Sequence, residues 1–161
     1  MNAIIQARTG PMEIVASFLN RAPVDLHAIA ARIGVTVTMP RDLPRDVSGS
    51  IRRQGEVYLI EINGNDPPRR QRFTIAHEIG HFLLHQDMLD GGIEDDRMYH
   101  SRFSDQVERQ ANRLAGQILM PPGLIMAAWQ AGARDIGRFA ETFDVFEQAM
   151  EIRLRELGLR G

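Results

Sequence analysis

Residues 72–85, Arg-Phe-Thr-Ile-Ala-His-Glu-Ile-Gly-His-Phe-Leu-Leu-His, constrain this chain more than any other stretch. Phe73, Ile75, Ala76, Ile79, Phe82, Leu83 and Leu84 leave room for one polar stripe of His77, Glu78, His81 and His85. Helical residues four apart share a face. His77 and His81 can thus offer two imidazole nitrogens to one Zn²⁺, with Glu78 beside them as a general base. The short pattern also arises by chance on surface helices. Here it sits in an apolar run, where two histidines and a glutamate are costly unless something satisfies them. His85 lies about 12 Å along the axis from His77, too far to complete the same site, and is read as packing at the helix end.

A third donor lies downstream. Positions 107, 111, 114, 115, 118 and 119 are apolar at helical spacing, and Glu108 and Asn112 share a face beside that stripe. Two histidines and one glutamate form a familiar catalytic zinc set that leaves a fourth position open. In that arrangement Asn112 accepts the second N–H of a ligand histidine and fixes its tautomer. An exposed first-turn glutamate favoured by the helix dipole is the plainer account of Glu108; the upstream motif is what favours a ligand.

Composition narrows the classes. The 161 residues are enough for one domain with a real core, spanning 1–161 with a helical C-terminal subregion at about 122–161. Net charge is −2, so no strong field for nucleic acid or membrane is implied. Cysteine is absent, which removes disulfides and thiolate metal sites and fits a cytoplasmic setting. The start lacks the pattern of a secretory leader, and no apolar run is long enough to span a membrane.

Along the chain, Met12 to Asn20 and Leu26 to Arg32 read as helices, the second capped by Asp25 and ended by Gly34. Val35 to Thr38, Val47 to Arg52 and Val57 to Ile62 read as strands, with a hairpin at Gln54-Gly55. Asn63 to Pro68 is a turn cluster. Helices, a small three-stranded antiparallel sheet packed on the motif helix, then more helices make an α+β fold. A sheet edge beside a metal helix can pair with an extended peptide, or can simply face water. Arg69, Arg70 and Arg72 read as a solvated face, with docking of an acidic partner the rarer alternative.

The acidic run Asp87 to Asp96 around Gly91-Gly92 reads as a solvated loop, with a lid over the cleft as the alternative. Tyr99 and His100 follow, each a candidate to hydrogen-bond a developing oxyanion. Pro121-Pro122 ends the second ligand helix. Two tail helices meet at a turn, where Asp144 and Glu147 form a D-x-x-E capping signal. Residues 132–161 hold five arginines against six acids, and Phe146 sits where base contacts begin in a helix-turn-helix. The tail is therefore read as a packing element or partner dock, and direct nucleic-acid binding is not expected.

These segments resemble the ImmA/IrrE family of metallopeptidases. The likeness rests on Arg70 to His85, on Glu108-Arg109-Gln110-Ala111-Asn112 and on Ile118-Leu119-Met120-Pro121, with support from Gly49 to Arg52 and Arg153 to Leu159. It covers roughly residues 10 to 159. The resemblance implies a zincin-like fold with one Zn²⁺ per chain on His77, His81 and Glu108, and Glu78 as base. It implies a site-specific endopeptidase acting on a helix-turn-helix repressor, relieving repression under stress or on a mobile element. Phe146 departs from the small polar residues common there, which bears on partner choice. A zinc-containing antirepressor that binds a repressor without cutting it is the rival reading, and a DNA-binding regulator with its reader in residues 135–157 is a third.

Overall fold

The computed structural model describes residues 10–93, 95–96 and 103–159. The chain opens with helices α1 (Pro11–Ala16) and α2 (Leu26–Ile33). Asp25 caps α2 by accepting the Ala28 N–H at 3.0 Å, and Gly34, at φ 82°, closes it in the left-handed conformation. Strands β1 (Val35–Thr38), β2 (Gly49–Gln54) and β3 (Val57–Ile62) follow, then the long helix α3 (Pro68–Leu84) that carries the motif. Next come α4 (Gln86–Asp90), β4 (Asp95–Asp96) and α5 (Asp105–Leu119), and the chain ends in α6 (Pro122–Gln130), α7 (Ile136–Phe143) and α8 (Glu147–Glu156). The architecture is α+β.

The sheet is mixed, not wholly antiparallel as the sequence suggested, and its order is β1-β3-β2-β4. β2 and β3 form the expected hairpin, with Gln54 opposite Val57 and Gly55 at φ 65° in the turn. β1 runs parallel to β3, with Val35 beside Tyr58. Parallel neighbours need a crossover. Here the connection 39–48 carries the chain past an empty slot, β2 returns on the far side, and the hairpin puts β3 into the slot. Asn63 holds that connection: its Nδ2 donates to Val47 O at 2.8 Å and to Pro44 O at 3.2 Å.

The sheet lies against α3. Ile51, Ile60 and Ile62 are fully buried and face Ile75 and Ile79 in one apolar cluster that extends to Met150 and Leu154. Two glycines set the spacing. A Cβ on Gly49 would stand 2.6 Å from Thr74 Cγ2 and 2.8 Å from Glu61 O, so the first residue of β2 must be this small. A Cβ on Gly80, inside the motif, would stand 3.0 Å from Ala111 O and 3.3 Å from Ala111 Cα. Only backbone atoms of α5 are there to yield. Gly80→Ala is therefore expected to push α5 away from α3 and cost about 1–3 kcal/mol, since overpacked cores relax at that cost. A thermal melt of the metal-free variant checks this; an unchanged melting temperature would show that α5 can slide freely.

Two sequence readings give way to tertiary contacts. Asp144 does not cap α8, whose N-cap residue is Phe146 with no side-chain cap. Asp144 instead closes α7 at φ 55°. Its carboxylate meets Arg69 Nε at 3.4 Å and Arg72 Nε at 3.5 Å, and Arg72 also donates to its carbonyl at 3.2 Å. Arg69 and Arg72 thus tie the tail to the start of α3; only Arg70 fits the solvated-face reading. Burial pushes the Arg72 guanidinium below its ordinary range, and Asp144 opposes the shift. The acidic run is not a continuous loop either. Residues 86–90 form α4, anchored by buried Leu89, and Asp95 and Asp96 pair with Ile51 and Ser50 of β2. No described helix is long and apolar enough to cross a membrane.

Candidate metal centre

Three side chains from two helices converge. His77 and His81 come from adjacent turns of α3 and are fully buried; Glu108 comes from the first turn of α5 and is 19% exposed. Ser104 starts α5 by accepting the Val107 N–H, which fixes where that turn begins and where Glu108 points. Glu108 Oε2 lies 3.2 Å from His77 Nε2, and its Oε1 lies 2.8 Å from His81 Nε2. The donor atoms of all three lie within 4.8 Å of one another. Two imidazole nitrogens and a carboxylate oxygen can hold a metal ion, and such a donor set suits Zn²⁺ with a fourth position left for solvent. Glu78 is as fully buried as the histidines it stands between.

The outer contacts orient the rings. His77 Nδ1 donates to Asn112 Oδ1 at 2.7 Å, which puts the lone pair of the neutral ring on Nε2, the nitrogen that faces Glu108. Asn112 stands where its four-residue spacing from Glu108 places it. Asn112→Leu is expected to weaken metal binding about 10–100-fold, the usual effect of losing such a partner. Competition with a chromophoric chelator measures it, and an unchanged affinity would remove Asn112 from the role. Phe73 leans on His77 with ring centroids 6.3 Å apart, and Phe103 stacks on His81 at 4.4 Å and 19°.

Some parts of the site were not anticipated. His85 does more than pack at the helix end: its Nδ1 lies 3.0 Å from His81 Nδ1 and its Nε2 lies 2.8 Å from Gln110 Oε1. Burial pushes its pKa down, against the raising effect of the Gln110 hydrogen bond. The sequence signal was there in the His77, His81, His85 spacing, which sets three rings on one stripe. Phe103, just before α5, carried no such signal. Tyr99 and His100 lie outside the described residues. Beside the site, a groove of about 650 Å³ runs between α5 and α8 past Phe73, Asn112 and Ile152.

A His-Glu-x-x-His helix packed on a small mixed sheet, with a glutamate from a second helix closing the donor set, defines a class of α+β proteins with a helix-borne metal centre. Within that class, residues 30–155 match the family model of the IrrE N-terminal-like domain, and the chain belongs to that family. It is 34% identical over 127 residues to the radiation response metalloprotease IrrE of Deinococcus deserti, a match covering 76% of this chain and 43% of that protein. The IrrE of Deinococcus radiodurans is also 34% identical over 127 residues, covering 77% of this chain and 37% of that protein. The chain thus matches less than half the length of these relatives. A Mycobacterium tuberculosis transcriptional regulator shares the fold, with a TM-score of 0.60 at 19% identity over 89% of this chain and 45% of that one.

Proposed function

We propose that this chain is a zinc-dependent endopeptidase that cuts a helix-turn-helix repressor at a specific site and so relieves repression. The observation that carries the catalytic part is the convergence of His77, His81 and Glu108 with buried Glu78 on the same helical turn. Family membership supports peptide hydrolysis. The repressor as substrate, the cytoplasmic setting and one zinc per chain extend the ImmA/IrrE resemblance to this chain.

Zinc bound there would supply Lewis acidity toward water and toward the peptide carbonyl. His77, His81 and Glu108 would hold it, and Asn112 keeps the His77 ring turned. Glu78 takes the proton of the attacking water and returns it to the leaving amine, so one carboxylate serves as base and then as acid. The apolar packing of Ile75, Ile79 and Phe82 around the site keeps bulk water from the rear of the histidines.

The test is direct. The zinc-loaded protein is incubated with the helix-turn-helix repressor encoded nearest to it, with Glu78→Gln as control, and intact masses are read. Two defined fragments absent from the control are expected. An intact repressor held in a stable complex by both proteins would instead make this a non-cutting antirepressor.

A further inference from the structure

The last histidine of the α3 stripe lies outside the donor set, yet it is buried and both of its ring nitrogens are engaged. His85 is 7% exposed. Its Nδ1 and the Nδ1 of His81 lie 3.0 Å apart, so one of the two carries the proton between them. Its Nε2 faces Gln110 Oε1 at 2.8 Å, and an amide oxygen only accepts. With the His85 proton on Nε2, its Nδ1 is an acceptor and takes the Nδ1 proton of His81. The lone pair of the neutral His81 ring is then on Nε2, the atom that points at Glu108 Oε1.

We infer that His85 and Gln110 are positioning residues for the metal, a two-member relay that holds His81 in the ligand tautomer and orientation. The inference rests on the reading of His77, His81 and Glu108 as metal ligands. It makes the two ligand histidines equivalent in support. His77 reaches an acceptor on α5 directly, through Asn112; His81 reaches one through His85, at Gln110. Helix α5 therefore supplies one ligand and the outer acceptor for both of the others. The Phe103 ring, stacked on His81, limits its rotation about that line.

Two plainer accounts make different predictions. If His85 only fills space, an aromatic of similar size should serve. If His85 is itself a ligand, its nitrogens should join the donor cluster, but among the described residues that cluster is His77, His81 and Glu108.

The test measures zinc affinity by chelator competition, and the visible spectrum of the Co²⁺-loaded chain, for His85→Phe, His85→Asn, Gln110→Ala and Gln110→Glu. His85→Phe is expected to weaken zinc binding about 10–100-fold and to change the Co²⁺ band shape. His85→Asn places an amide oxygen near the lost Nδ1 and is expected to recover most of that affinity. Gln110→Ala should lose a smaller part, Gln110→Glu should lose none, and adding Gln110→Ala to His85→Phe should cost nothing further, because the relay is already broken. Wild-type affinity and spectrum in His85→Phe overturn the inference. Should His85→Phe fail to fold, the exposed Gln110 pair decides: equal affinity in Gln110→Ala, Gln110→Glu and wild type overturns it. The readout is affinity and not cleavage, so a wrong substrate does not disturb these outcomes. A wild-type chain that binds no zinc would overturn the metal reading itself, a result no variant comparison imitates.

Discussion

Glu78→Gln is expected to keep its fold and its zinc and to cleave about 10²–10⁴-fold more slowly, the range that a positioned general base contributes. The substitution is nearly isosteric, so it leaves the packing of a fully buried residue in place. It removes only the ability to accept a proton as a carboxylate does. The neighbouring donors, His77 and His81, already have their Nδ1 atoms committed to Asn112 and His85 and their Nε2 atoms turned to Glu108. Neither can take over as base without leaving the donor set. The cleavage time course is read by intact mass, and zinc per chain by elemental analysis of the same sample. Cleavage at the wild-type rate would remove Glu78 from the mechanism. Loss of zinc from the variant would place Glu78 among the metal's supports instead.

Much of this arrangement could be read from the chain because it is local. His77 and His81 share a face through helical geometry alone, and no tertiary knowledge is needed to set them four apart. Glu108 stands far along the chain. It was visible only because metal chemistry asks for a third donor and the amphipathic spacing of 107–119 showed which helical face it occupies. Asn112 followed by the same four-residue rule. The strands were legible from β-branched runs, but their order was not. Whether β1 pairs with β2 or β3 depends on how the 39–48 connection is held, and Asn63 holds it from outside that segment. Asp144 failed for a related reason. The D-x-x-E signal is a local preference, and two arginines at the start of α3 outweigh it. His85 is too far along α3 to join the donor atoms of His77, and the contact that gives it a role is with His81, one turn back. Short-range geometry was readable; contacts between distant segments had to be seen.

Removing the third donor should have the largest effect on the metal. Glu108 is the sole negative charge in the donor set, and its two oxygens each face one histidine. Glu108→Ala leaves two neutral imidazoles for a divalent cation, and the carboxylate's attraction, strong in a site with two fully buried partners, is lost. Zinc occupancy at equimolar metal is expected to fall to near zero, with cleavage falling alongside it. Stability gives an independent reading. A metal bound only by the folded state adds RT ln(1 + [L]/Kd), about 2.7 kcal/mol at one hundred times Kd. Wild type should therefore melt higher with zinc than without, and Glu108→Ala should melt at the same temperature in both. Glu108→Gln separates charge from shape. It retains an oxygen acceptor and similar bulk, so it should fold as wild type does yet bind zinc weakly. Unchanged occupancy in both variants would reject Glu108 as a ligand. The third donor would then have to come from elsewhere, since among the described residues no other histidine, aspartate or glutamate joins this cluster.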